Sequence, residues 1–121
     1  MSAGGEELPP SVRQQLARFQ QLQQTLNVIL AERQRLEAEL LEVKDALEEL
    51  QKSADDAVVY KAVGPVLVQS SKQKLVDELS EKKELAETRL KLLEKQEQRT
   101  REQLESLQKE LRQMFSGQAP T

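Results

Sequence analysis

The sequence predicts a mainly α fold, a long antiparallel two-helix coiled coil with a central β-hairpin that other subunits complete in an intersubunit sheet or β-barrel. Three observations lead there. Positions 12, 15, 19, 22, 26, 29, 33, 36, 40, 43, 47 and 50 alternate steps of three and four, and only Gln15 and Arg33 among them are not apolar. Positions 76, 79, 83, 86, 90, 93, 97, 100, 104, 107, 111 and 114 do the same, with Lys83, Glu97 and Thr100 as the exceptions. Such spacing, sustained over five heptads, marks a coiled-coil seam. The two runs are mirror images about a short β-branched insert, so a chain folded back on itself pairs seam residues whose numbers sum to 126. Leu50 then faces Val76, Leu36 faces Leu90 and Val12 faces Met114.

Residues 1–10 are rich in Gly and Pro and read as a disordered N-terminal segment. Ser11 is placed to cap the first helix, with Gln14 completing a capping-box pattern, and the helix spans 11–52. Ser53, Asp55 and Asp56 end it, because their side chains compete for backbone hydrogen bonds. At about 1.5 Å per residue each arm is roughly 60 Å long, an elongated shape.

From 57 to 69 the composition turns β-branched around Gly64-Pro65, the pattern of a hairpin. Gly64 supplies the positive φ that opens a type II′ turn and Pro65 tolerates the next position. Pairing Val63 with Val66 places Val59, Lys61, Val63, Val66 and Val68 on one face. Val58, Tyr60, Ala62, Leu67 and Gln69 fall on the other. Ser70, followed by Gln73, caps a second helix over 70–115, and Ser116-Gly117 with Pro120 leads into a flexible tail, 116–121. Two strands alone are marginal in water, and these carry valines on both faces, so other subunits must complete them through a shared sheet or barrel.

Composition excludes several functions. Charged residues make up 32 % and aromatics 2 %, which suits a narrow seam rather than a wide core. The net charge is −3, and the nearest basic groups, Arg99 to Arg101 and Lys82-Lys83, alternate with glutamates, so no nucleic-acid face is expected. Cysteine and histidine are both absent, which removes thiol chemistry and the usual soft metal ligands and suits a cytoplasmic setting. No window is apolar enough for a membrane span. The serines lack a histidine to activate them, and the carboxylates fall at spacings for exposed i,i+4 pairs, such as Glu105 with Lys109. No catalytic residues, metal or cofactor are expected, and the chain reads as a non-enzyme.

Arg33 and Glu97, polar at seam positions, either pair across the hairpin to fix register or extend to its flank on their long stems. At the end away from the strands, apolar residues outnumber what a seam requires: Val12, Leu16 and Phe19 meet Leu107, Leu111, Met114 and Phe115. They either finish the seam or, where the coil end frays, offer a contact surface.

The hairpin segment Asp-Asp-Ala-Val-Val-Tyr-Lys-Ala-Val-Gly-Pro-Val-Leu-Val at 55–68, set between long helices, and the Gln-rich run from Phe19 to Gln24 resemble the prefoldin β subunit family, archaeal type. The resemblance covers about 10–114, and the hairpin is its specific part. It implies a hexamer of two α and four β subunits whose hairpins form a double β-barrel platform bearing six coiled coils. The tips of those coils hold unfolded client proteins and pass them to a group II chaperonin without ATP. Carried onto this sequence, the client-binding residues are Val12, Leu16, Phe19, Leu107, Leu111, Met114 and Phe115. Oligomerisation rests on Val58, Val59, Tyr60, Val63, Val66, Leu67 and Val68. The alternative is a structural or adaptor coiled coil that binds folded partners along its flank, which has no use for a hairpin with two apolar faces.

Overall fold

The structure is a computed structural model and describes residues 8–117. Residues 1–7 of the expected N-terminal segment and 118–121 of the expected tail lie outside the described residues. The elements run in the order α1 (Pro10–Lys52), β1 (Val59–Val63), β2 (Val66–Ser70) and α2 (Lys72–Ser116).

The starts of both helices differ by a residue or two from those expected. The first helical bond of α1 runs from the Arg13 amide to the Pro9 carbonyl at 3.0 Å, so Pro10 opens the helix and Ser11 lies inside its first turn rather than capping it. Proline suits that place, since its φ is already helical and its missing N–H has no partner there anyway. α2 is capped by Ser71, not Ser70: Ser71 Oγ accepts from the Lys74 amide at 3.2 Å. Ser70 is unavailable because it is the last residue of β2, paired with Val59. Gln73 turns away from the cap and donates to Asp77 Oδ1 at 2.9 Å.

The ends follow ordinary rules. Beyond Lys52, the Ser53 amide returns to the Leu50 carbonyl and Ser53 Oγ donates to the Glu49 carbonyl. At the end of α2, Gly117 adopts φ +73° and its amide reaches the Met114 carbonyl, the left-handed termination that glycine allows. The strands form a two-stranded antiparallel sheet in the register Val63↔Val66, Lys61↔Val68 and Val59↔Ser70. Gly64 has φ +57°. Pro65 keeps a negative φ, which excludes a type I′ turn and fits type II′.

The chain divides into two units, one formed by residues up to 32 with those from 93 onward, the other by 33–92. In the first, Val12, Leu22, Leu107 and Leu111 form a buried cluster with Leu16, Phe19 and Leu104 packed against it. Ile29, Leu93 and Thr100 are also buried there, and Thr100 satisfies its hydroxyl on the Gln96 carbonyl at 2.8 Å. In the second unit Leu36, Val43 and Leu50 of α1 are buried, as are Leu75, Ala86 and Leu90 of α2. Glu39 meets Lys82 at 3.5 Å, and the Ser53 carbonyl meets Lys72, which shows the two segments running antiparallel. Arg33 and Glu97 each make an i,i+4 ion pair on their own helix, with Glu37 at 3.3 Å and Arg101 at 2.9 Å.

Candidate functional site

Two surfaces carry more exposed apolar area than their own unit can use. The first is the hairpin. One face holds Val59, Lys61, Val63, Val66, Val68 and Ser70, and the other holds Tyr60, Ala62, Leu67 and Gln69, as alternation in the observed register requires. Tyr60, Val63, Val66, Leu67 and Val68 are all exposed, Leu67 at 70 %. Val58 is exposed too but precedes β1, while Val59 is half-buried. A hairpin folded onto its helices as a simple loop would cover one face, and here both remain open. Neither strand has a second strand neighbour among the described residues.

Two lysines tie this hairpin to its unit. Lys72 Nζ donates to the Ser53 carbonyl at 2.8 Å and approaches Asp55 Oδ1 at 3.3 Å, closing the base of the insert. Lys61 Nζ lies 2.8 Å from Glu78 on α2, linking mid-strand to helix. Nothing in the heptad pattern marks Lys72 or Glu78. Lys61 does carry a signal in the sequence, as the one charged residue of either strand.

The second surface belongs to the other unit. Among the seven residues expected to bind clients, Val12, Leu107 and Leu111 are buried in the cluster described above, and Leu16 and Phe19 are half-buried against it. Met114 is 40 % exposed and Phe115 60 % exposed, although 114 is a seam position. The set therefore splits into a covered floor and an open edge. Gln15, also at a seam position, buries its Oε1 with no hydrogen-bond partner. Farther along the same unit, a shallow groove of about 670 Å³ is lined by Gln21, Gln24, Ile29, Leu93, Gln96 and Arg99, among others.

Among the described residues no group of histidine, cysteine, aspartate or glutamate is arranged to hold a metal ion. No helix there is long and apolar enough to cross a membrane.

A family model described as "Prefoldin subunit" matches residues 13–118. The chain belongs to the prefoldin subunit family. Within the prefoldins it is similar to β subunits. The prefoldin subunit beta of Archaeoglobus fulgidus is 46 % identical over 113 residues, 93 % of this chain and 97 % of that protein. That of Saccharolobus islandicus is 45 % identical over 115 residues, 95 % and 91 % of the two chains. The crystal structure of the prefoldin beta subunit from Thermococcus strain KS-1 superposes with a TM-score of 0.79 at 40 % identity, covering 96 % of this chain and 99 % of that one. Two long helices flanking a two-stranded hairpin are the shared architecture, and prefoldin subunits are chaperone components without enzymatic activity.

Proposed function

We propose that this prefoldin chain is a subunit of a cytoplasmic hexamer of two α and four β subunits, assembled through the hairpin strands, which binds non-native proteins and delivers them to a group II chaperonin without ATP. The observation that carries client binding is the open apolar edge at Met114 and Phe115, in the same unit as the cluster that Leu16 and Phe19 half-cover. A soluble protein that leaves such side chains open offers a contact site. The buried Val12, Leu107 and Leu111 supply the floor of that site and join it when the helix ends fray.

The mechanism follows from valency. A single small apolar patch binds weakly and releases fast, while several patches held on one platform gain avidity for a chain that displays many apolar segments. A folded protein displays few and is passed over. Delivery then requires only that the chaperonin compete for the same patches or the same client segments, with no nucleotide step. Assembly is supported by the exposure of Tyr60, Val63, Val66, Leu67 and Val68 on both faces of a two-stranded sheet.

Suppression of aggregation of a chemically denatured test protein by the assembled complex is the direct measurement. Replacing Met114 and Phe115 together by serine is expected to weaken suppression at least threefold while leaving helicity and the unfolding midpoint nearly unchanged, because both side chains are exposed. Full suppression by that variant would reject the edge as the client surface.

A further inference from the structure

The ion pair between Lys61 and Glu78 points to a role beyond folding. We propose that it is an orientation latch, which leans the Lys61-bearing face of the hairpin toward α2 and so presents the opposite face, with Tyr60 and Leu67, to the hairpins of other prefoldin subunits. This rests on the assembly reading above and names the residues that aim the assembly surface.

The geometry supports it at three points. A two-stranded sheet has too little packing of its own to hold a direction, so its attachment sets its angle. Lys72 fastens only the base, at Ser53 and Asp55, whereas Lys61 reaches α2 from the middle of β1 at 2.8 Å. On the Lys61 face, Val59 and Ser70 next to the base are half-buried and Val63, Val66 and Val68 toward the turn are exposed, whereas on the other face Tyr60, Ala62, Leu67 and Gln69 are all exposed.

Charge explains why a latch is needed. Lys61 shares its face with Val63, Val66 and Val68, and an unpaired ammonium buried beside them in an assembled sheet would be strongly unfavourable. Glu78 removes that cost by holding the charge against the helix. The other charges nearby leave the pair intact: Lys82, which lines the same cleft with Glu81, Leu79 and Leu85, is itself 3.5 Å from Glu39. The pair is half-exposed on both sides, so it adds little to folding stability and its effect should appear in assembly.

The test is a charge swap in the full chain, followed by native mass spectrometry across a concentration series, alone and with a prefoldin α-type subunit. Lys61→Glu and Glu78→Lys are each expected to raise the concentration needed for assembly at least tenfold, and the double variant K61E/E78K to return it within threefold of the unsubstituted chain. Helicity by circular dichroism should be the same in all four proteins. Assembly of either single variant like the unsubstituted chain, or a double variant no better than the singles, would overturn the latch. Leu67→Asp separates the two layers of the proposal. If it blocks assembly while Lys61→Glu does not, only the latch falls; if it assembles normally, the hairpin reading falls and the latch with it.

Discussion

Lys72, the first residue of α2, donates from Nζ to the carbonyl of Ser53, the residue just past the end of α1, at 2.8 Å. A cation at a helix C-terminus meets carbonyls that have no partner within the helix, and this one is only 18 % exposed. Its other partner, Asp55, is fully exposed and contributes little. Lys72→Met keeps the stem and removes the donor, so it is expected to cost about 1–2 kcal/mol of unfolding free energy, from a lost charge-assisted bond. Asp55→Asn should leave the unfolding midpoint unchanged. Urea unfolding of the two variants checks the contrast, and equal effects would mean that Asp55, not the carbonyl, holds the base.

Adjacent leucines in α2 give a sharper contrast. Leu93 occupies a seam position at 4 % exposure, and Leu92 beside it is 51 % exposed. Leu93→Ala removes buried methyl groups and leaves a gap, with an expected loss of about 2–3 kcal/mol. Leu92→Ala is expected to change stability by no more than about 0.5 kcal/mol. Thermal unfolding measured at equal protein concentration distinguishes them.

How far the sequence reaches is visible in the same helix. Heptad spacing located the seam because burial on a helix repeats with the sequence: every predicted seam position of α1 is buried or half-buried, and so is every one of α2 except Met114. Met114 lies two residues before the end of α2, opposite only the first turn of α1, so the seam has almost no further layer to cover it. Leu75 is buried although it stands beside the seam and not in it, at the start of α2 where the chain enters from the hairpin. Hairpin register was legible too, since a two-residue Gly-Pro loop allows only Val63 to meet Val66. The ties of Lys61 to Glu78 and of Lys72 to Ser53 were not, because they depend on how the hairpin leans, which no periodicity encodes. Of the expected client-binding residues, the pattern identified the cluster but not which members are covered.

Gly64 carries the turn, and its neighbourhood isolates the backbone effect. Its φ is +57°, and a Cβ added there would meet nothing within 4 Å. Gly64→Ala therefore introduces no clash, only a conformation that L-residues disfavour by about 1–2 kcal/mol. On the assembly reading this weakens the hexamer by roughly tenfold, while the helical unfolding signal of the isolated chain stays close to that of the unsubstituted protein. Native mass spectrometry and circular dichroism provide the two readouts.

Gln15 links stability to client capture. Its Oε1 is buried among the seam residues without a hydrogen-bond partner, and an orphaned buried acceptor costs about 1–3 kcal/mol. Gln15→Leu removes that orphan and places an apolar side chain of similar size in the seam beside the Val12 cluster, with an expected gain of about 1–2 kcal/mol in urea unfolding. The same substitution closes the helix ends more firmly, since fraying there must now break a better-packed layer. Phe19, Leu107 and Leu111 would then spend less time uncovered, and suppression of aggregation should weaken at least twofold although the protein is more stable. That opposition distinguishes two forms of the client surface. If Gln15→Leu stabilises the chain and leaves suppression unchanged, the buried members take no part and the permanently open Met114 and Phe115 do the binding alone. If suppression falls, fraying of the seam is part of capture, and the unsatisfied amide keeps that end of the coil loose enough to open.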